Sequence, residues 1–467
     1  MRRGGFAAAG RCLAAATAAG LSLVLALVVA ARAQGPIEVL GASVTADFPN
    51  TITFRISARS QTEITRASLL YRVSRPQCAR VVSVAQPEFR PSRTLNTQWE
   101  WQLRETGGLP VGASVLFHWA VRDAAGNVAE TLEEEYVHRD PRFDWRQVQG
   151  DGVTLNWYRG DEAFARTLLD SAVQALERLN AATGASARGP LRAFIYGDTT
   201  ALQAALVFPQ EWTGGVAFTD FGIVAIAVPP SNLEWGQRAM VHEVTHLAVS
   251  DATFNCYVSI PAWLNEGLAT YNEGPAQERY ESVLRAAVAK DSLLTLRSIE
   301  GDFPSDPEKA LLAYAQSRSV VAFLLDGYGP GAMQKLLAAF REGSPTDAAL
   351  QAAYGFDEDG LERRWRQHLG LPVEASTPLG TPALPREPLP TLEPYQLATP
   401  PAGPTTPVLS TPSPQVIPSP GPTATPGGDL SCGASTAVGR GGVGLAPPAL
   451  VGLVVALAWR GRRGRLL

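Results

Sequence analysis

Proline limits how this chain folds more than any other residue, because 17 of its 36 prolines lie between Pro372 and Asp429. Each proline fixes φ and removes a backbone hydrogen-bond donor. A Pro/Thr/Ser-rich stretch of this kind favours extended polyproline geometry over a packed core. We therefore predict a disordered stalk over residues 372–442 and a globular part that ends by residue 371.

The amino-terminal segment has the pattern of a secretory signal peptide. Arg2 and Arg3 precede an apolar stretch from Leu21 to Ala31, and Ala31-Arg32-Ala33 provides the small residues that signal peptidase accepts. We expect residues 1–33 to be removed on export, and an uncleaved amino-terminal anchor is the alternative.

A second apolar segment, from Val443 to Trp459, lies near the carboxyl end and contains no charged residue. As a helix with a rise of 1.5 Å per residue it extends ~26 Å, enough for a thin bilayer. Arginines follow from Arg460 onward, and the positive-inside rule keeps such a tail, residues 460–467, in the cytoplasm. We predict a transmembrane helix over residues 443–459 and an exported protein anchored at the cell surface with its globular part outside.

Charge and cysteine content exclude two classes of protein, a strongly basic nucleic-acid binder and a disulfide-dense miniprotein. The net charge is −4, from 40 basic and 44 acidic side chains, which excludes a strongly basic nucleic-acid binder, and no nucleic-acid partner is expected. Removal of the signal peptide leaves Cys78, Cys256 and Cys432, an odd and scattered set that gives no disulfide framework. A bridge between Cys78 and Cys256 is one option within that set.

Residues 34–140 alternate between apolar and polar side chains with the period of two that is typical of β-strands. The clearest runs are Ile52 to Ala58, Trp99 to Leu103 and Val115 to Val121, and a turn follows at Asp123 to Asn127. Several short strands with turns between them favour a β-sandwich. The sequence around this turn resembles bacterial immunoglobulin-like or fibronectin-type modules, so we predict an all-β immunoglobulin-like sandwich without catalytic residues.

From residue 141 to residue 371 the pattern becomes a mixture of strands and helices. A helix is predicted at Glu162–Asn180, and the predicted strands are Val153–Tyr158, Leu191–Tyr196, Gly214–Phe218 and Gly222–Val228. After Pro230 the chain is mainly helical to His368, with a break at Gly329-Pro330-Gly331. This order predicts an α+β domain in which a small sheet precedes a helical half.

One short motif, Val241-His242-Glu243-Val244-Thr245-His246-Leu247, contains the pattern His-Glu-x-x-His. Ser231 and Glu234 form a capping-box pattern that predicts the start of a helix just before it. On that helix His242 and His246 lie one turn apart with Cβ atoms ~5–6 Å from each other, so both imidazoles reach one metal ion. Glu243 is then placed to reach a water molecule rather than the metal.

A catalytic zinc site has three protein ligands and an open fourth position. Glu266 follows His246 by twenty residues, in a segment where Pro261 suits the start of a helix and Gly274 its end. Two helices joined by a short connection bring Glu266 beside the histidines. The ligand types predict Zn²⁺ as the cofactor, and another divalent ion accepts the same ligands.

His-Glu-x-x-His followed at this distance by Asn265-Glu266-Gly267-x-Ala269 resembles the gluzincins, zinc metallopeptidases typified by thermolysin and by the aminopeptidase-N type. The wider segment, about Phe143 to His368, is similar to the peptidase MA-like family. The resemblance implies a zincin-like metallopeptidase domain in which Glu243 is the general base and later the proton donor. It also implies the zinc ligands His242, His246 and Glu266.

The same resemblance implies residues that contact the substrate. Gluzincins often stabilise the oxyanion with a Tyr or His from a downstream helix, and Tyr314 is the candidate, a packed helix tyrosine being the alternative. Zincins lay the substrate along an edge strand, and Gly214, Gly215 and Val216 are placed for this role, although paired glycines also suit a simple turn. The Gly-x-Met-Glu-Asn motif of the aminopeptidase-N type is not present, so endopeptidase action is favoured.

Two functions from different classes fit the sequence. The first is a surface-tethered zinc metallopeptidase that acts on peptides or proteins, with endopeptidase action favoured. The second is a surface adhesion or scaffold protein with a catalytically inactive zincin fold. An intact motif that includes Glu243 favours the enzyme, because a structural zinc site needs neither this acid nor an open position.

Overall fold

The computed structural model describes residues 35–79, 81–208 and 214–372. The predicted signal peptide, transmembrane helix and basic tail, and the stalk beyond Pro372, lie outside these residues. Within the described ranges no helix combines the length and apolar character needed to cross a membrane.

The amino-terminal domain is built on one long strand, β2. Its strands are β1 Ile37–Asp47, β2 Thr51–Val73, β3 Ser83–Ala85, β4 Ser92–Gln102, β5 Ser114–Asp123, β6 Val128–Glu130 and β7 Glu134–Val137. The first half of β2 pairs with β1 and β4, and its second half pairs with β3 and β5 after a register shift near Ile64. Phe54 and Phe117 meet edge to face with ring centroids 4.9 Å apart, so the two halves of the sheet face each other. The β-rich character predicted for this region is confirmed.

The second part begins with a five-stranded sheet. Its strands are β8 Arg146–Gly150, β9 Val153–Trp157, β10 Leu191–Tyr196, β11 Gly215–Phe218 and β12 Ile223–Ala227. Their order is β11-β12-β10-β9-β8, with β10 parallel to both neighbours and the two outer strands antiparallel. The sequence analysis missed β8, whose five residues are mostly polar and exposed.

Eight helices are described, and they form the rest of this α+β part. They are α1 Glu162–Thr183, α2 Thr199–Gln203, α3 Leu233–Ala252, α4 Ala262–Asn272, α5 Glu278–Ala289, α6 Pro307–Arg341, α7 Thr346–Tyr354 and α8 Glu358–His368. Helix α6 is interrupted at Gly329, where φ is 76° and Pro330 follows, as the sequence predicted. The predicted order of a β-rich domain followed by an α+β zincin-like domain is confirmed.

Both faces of the five-stranded sheet are covered. Val224 and Ile226 face a core shared with α1 and α3, whereas Phe194 and Ile223 belong to the core of the amino-terminal β domain. This explains why β12 is apolar throughout, since a strand buried on both sides needs no polar alternation. The β domain and the five-stranded sheet therefore share one hydrophobic core across the boundary near residue 140.

Two further connections hold the β domain in place. The Tyr196 hydroxyl donates to buried Asp140 at 3.1 Å. Cys78 and Cys256 form a disulfide, so the bridge that the sequence left open is present.

Candidate active site

Helix α3 carries the His-Glu-x-x-His motif along the catalytic face of the sheet. The predicted capping box at Ser231 is wrong, because the helix begins at Leu233 after a short 3₁₀ turn, and Asn232 caps it without a side-chain hydrogen bond. Glu234 instead pairs with Arg238 one turn later, at 2.6 Å. The helix start is set by this turn and by packing against the sheet rather than by a capping side chain.

His242, His246 and Glu266 converge on one point between α3 and α4. The Glu266 Oε2 atom lies 3.4 Å from His242 Nε2 and 3.5 Å from His246 Nε2. Ligand atoms bound at 2.0–2.1 Å to one tetrahedral ion lie about 3.3 Å from each other, so these separations suit one zinc ion. The structure thus brings together the three side chains that the sequence proposed as ligands.

The three facing atoms are buried without partners. His242, His246 and Glu266 are 0%, 4% and 4% exposed, and none of their facing atoms has a hydrogen-bond partner among the described residues. Buried polar atoms are normally paired, so three unpaired atoms that point at one another indicate a missing ligand. Two imidazoles and one carboxylate are the set found in catalytic zinc sites, and the residues therefore fit zinc.

Helix α4 also orients both histidines. His242 Nδ1 lies 2.8 Å from Glu273 Oε1, and His246 Nδ1 lies 3.1 Å from Asn265 Oδ1. Both oxygens accept, so each Nδ1 carries the proton and donates, which leaves the Nε2 lone pairs for a metal. Sequence reasoning missed Glu273, although it follows Glu266 by seven residues and so lies two helical turns along the same face.

Burial and neighbouring charges set the protonation of the site. Burial lowers the pKa of His242, but Glu266 and Glu273 outweigh it and raise that pKa to about 10. Burial also lowers the pKa of His246, where Glu266 opposes it only in part. Protons and a metal ion therefore compete for His242, so we expect metal binding to release a proton.

Glu243 stands apart from the three ligands. It is 1% exposed, its Oε2 has no hydrogen-bond partner in the described part of the chain, and it does not belong to the metal-binding group. Burial raises its pKa to about 7, with His242 acting in the opposite direction. A carboxylate with a pKa near neutrality is suited to accept and return a proton.

The outer strand β11 runs directly past Glu243. A Cβ atom on Gly215 would lie 2.9 Å from Glu243 Oε1, so the glycine permits this close approach. Ala227 N donates to the Gly214 carbonyl, so Gly214 faces β12, and the alternation of antiparallel pairing turns the main-chain groups of Gly215 and Ala217 outward. Val216 packs on the opposite side, against the core of the β domain.

Tyr314 lies beside the ligands on α6. It is 2% exposed, and its ring centroid is 6.5 Å from that of His242 and 5.0 Å from that of Phe303. The position is compatible both with the predicted contact to substrate and with simple packing.

One family model matches part of the chain. The model of the Peptidase MA superfamily matches residues 171–370, and a search of curated proteins gives no match. Among solved structures, the chain is similar to an M1 zinc metallopeptidase from Deinococcus radiodurans, with 14% identity and a TM-score of 0.32 over 71% of this chain and 93% of the other. It is also similar to an aminopeptidase N family protein from Idiomarina loihiensis, with 10% identity and a TM-score of 0.32 over 70% of this chain and 71% of the other.

Proposed function

Residues 171–370 belong to the Peptidase MA superfamily, and from this premise we propose that the chain is a zinc metallopeptidase acting at His242, His246 and Glu266. One observation carries the proposal, namely three buried and unpaired ligand atoms beside an acid that is not a ligand. A structural metal site has no use for Glu243, whereas hydrolysis needs a base at this position.

The residues of the site have different roles in hydrolysis. A zinc ion held by the three ligands supplies a Lewis acid that lowers the pKa of water and polarises the scissile carbonyl. Glu243 removes a proton from the attacking water and passes it to the leaving nitrogen. Glu273 and Asn265 keep the two imidazoles in the orientation and tautomer that ligation needs.

A peptide substrate binds as an added strand on β11. The outward main-chain groups of Gly215 and Ala217 are free to pair with it in the described structure, and Gly215 brings its backbone next to Glu243. Tyr314 is the proposed donor to the oxyanion, since its ring lies near His242. Its replacement by Phe tests this role: if Tyr314 only packs, turnover is unchanged.

Replacement of Glu243 by Gln tests the proposal. The full-length protein, loaded with zinc, is incubated with a mixed peptide library and the new termini are mapped by mass spectrometry. We expect the Glu243→Gln variant to lose turnover by about 10³-fold, because general-base catalysis is removed, while it retains one zinc per chain.

Glu234→Gln is the matched control, because Glu234 lies on the same helix, has a side chain that is 86% exposed and forms an ion pair with Arg238. It should retain full activity. A parent protein that binds zinc and cleaves nothing would favour the second candidate, a surface adhesion or scaffold protein with an inactive zincin fold.

Two finer parts of the proposal come from the sequence. The first is surface attachment: the signal peptide and transmembrane helix predict that protease added to intact cells reaches the catalytic domain. The second is the cleavage mode: the missing aminopeptidase motif favours internal cleavage, and the same termini map separates this from cleavage near an end.

A further inference from the structure

The β2–β3 connection of the amino-terminal domain contacts the turn that follows β11. Arg75 NH1 lies 3.6 Å from Asp220 Oδ2, and its guanidinium carbon lies 5.8 Å from the centroid of the Phe221 ring. Asp220 and Phe221 form the short 3₁₀ turn between β11 and β12. Arg75 therefore holds the end of the hairpin whose outer strand carries Gly215.

Three residues further on, the same connection is bonded to the opposite side of the site. Cys78 forms a disulfide with Cys256, with Cα atoms 5.7 Å apart. Cys256 lies in the connection between α3 and α4, ten residues after His246 and ten before Glu266. The covalent bond thus reaches the segment that joins the two ligand-bearing helices.

We call residues Arg75 to Cys78 the strap. Three peptide steps separate its ends, so its backbone spans about 10 Å at most. Pro76 lies within it, and a proline ring restricts the φ freedom of this short segment. The hairpin turn and the α3–α4 connection therefore cannot move far apart at this end while the disulfide is intact.

This restriction matters because the site is buried. Glu243 and the three ligands are at most 4% exposed, so a substrate needs space between the elements that surround them. The disulfide and the contact of Arg75 with Asp220 limit that space at the Phe218 end of β11.

The direction of β11 says which part of a substrate meets the strap. An added strand that pairs antiparallel with β11 runs from the Phe218 end towards Gly215. Its scissile bond lies near Gly215, where Glu243 is close. The residues on the amino-terminal side of that bond then lie opposite Val216, Ala217 and Phe218 and end at the strap.

We propose that the strap is a specificity determinant that limits the amino-terminal side of the substrate to about three residues, the number that remains on β11 beyond Gly215. It rests on the proposed peptidase function but departs from the internal cleavage that the sequence favours, because it names as the substrate class peptides with a free and nearby amino end. Reduction of the disulfide, or loss of Arg75, should widen this limit.

The test uses peptides that share one cleavable bond and carry one to eight residues before it. For the full-length zinc-loaded protein we expect kcat/KM to fall by about tenfold or more once that side exceeds about three residues. In a Cys78→Ser/Cys256→Ser variant, and with Arg75→Ala, the fall should shrink to about twofold. The control is Arg59→Ala, since Arg59 lies on β2 and forms an exposed ion pair with Glu38 on β1. This variant should leave the length limit unchanged.

Binding of the same peptides to the Glu243→Gln variant, followed by fluorescence anisotropy, measures the limit without turnover. If binding depends on peptide length but the parent protein cleaves none of the peptides, the peptidase function is rejected and the proposed role of the strap stands. Three results would each overturn the proposed role of the strap. They are binding or cleavage that does not depend on peptide length, a limit on the carboxyl side instead, and a limit that is unchanged after removal of the disulfide. The melting temperature of each variant shows whether it is folded, and the reduced parent provides a second route if the double variant is not.

Discussion

Helices α3 and α4 contribute to the metal site in different ways. Helix α3 presents two imidazoles one turn apart, a relation fixed by helical geometry alone. Helix α4 supplies the only carboxylate in the ligand group, and Asn265 of this helix and its C-cap residue Glu273 orient those imidazoles. The comparison teaches that α3 determines which atoms bind the metal, whereas α4 determines how they are held.

The two helices also differ in how closely they are packed. A Cβ atom on Gly236 of α3 would meet the Val228 side chain, with the nearest methyl at 2.2 Å. A Cβ atom on Gly267 of α4 would meet the Ser317 carbonyl oxygen of α6 at 2.5 Å. A side chain can change rotamer, but a backbone carbonyl within a helix cannot withdraw alone, so α4 tolerates less displacement.

The largest effect is expected for Gly267→Ala. The added methyl must push α4 away from α6, which should lower the free energy of unfolding by about 3 kcal/mol, as in severe overpacking. Zinc affinity should fall as well, because Glu266 is the preceding residue and moves with the helix. Chemical denaturation and zinc titration measure the two effects. Gly327→Ala is the matched control, since it lies in α6 with open space around its Cβ position, and it should not destabilise the protein.

Gly236→Ala tests the comparison directly. The clash is with a side chain at the end of β12, so we expect a smaller loss of about 2 kcal/mol. Zinc affinity should be nearly unchanged, because the Val228 side chain can move while α3, with His242 and His246, stays in place. An equal loss of zinc affinity in the two glycine variants would contradict the assigned difference between α3 and α4.

Glu273→Gln isolates the orienting role of α4. The amide keeps an acceptor for His242 Nδ1 but removes the negative charge that strengthens this hydrogen bond and ligation by the imidazole. We expect zinc affinity to fall by about tenfold, the lower end for such supporting groups. Competition with a chromogenic chelator measures this; an unchanged affinity would mean that Glu273 only packs against the histidine.

The smallest effect concerns the anchor of α4. Trp263 Nε1, in its first turn, donates to Glu358 Oε1 at 2.7 Å. Burial raises the pKa of Glu358 from 4.5 to about 7, while the bond from Trp263 acts against the shift. Between these values the folded state holds a proton that the unfolded state releases, so this contribution to stability is present below pH 4.5 and is lost as the pH rises towards 7.

Glu358→Gln should therefore remove a pH dependence. Gln keeps the acceptor for Trp263 and never becomes charged, so relative to the variant the parent should lose about 1 kcal/mol between pH 5 and pH 8. Melting temperatures of both proteins at the two pH values measure the difference. Parallel pH profiles would show that the carboxylate is already ionised at pH 5.

The sequence predicted those parts of the molecule that depend on local spacing. The strand Leu191–Tyr196, the break at Gly329 and the end of the last helix at His368 all agree with the structure. Each follows from a pattern within a few residues, such as apolar periodicity or a Gly-Pro step. The spacing of His242 and His246 belongs to the same class.

Features that depend on tertiary contacts were missed or predicted wrongly. Glu273 was overlooked because its role exists only when α4 lies against α3. The capping box at Ser231 was predicted from a local pattern, but the preceding 3₁₀ turn and the sheet beneath the helix determine where α3 begins. Strand β8 carries almost no apolar signal and is defined by its pairing with β9.

The shared core between the β domain and the catalytic sheet has a consequence for how such a chain can evolve. A domain that is exchanged by recombination must keep its folded surface when it leaves its neighbour. Here, separation near residue 140 would expose Phe194 and Ile223 to water and leave the Tyr196 hydroxyl without its acceptor, Asp140. We therefore expect the two parts to be inherited as a single unit, so that a functional change in one must remain compatible with the surface of the other.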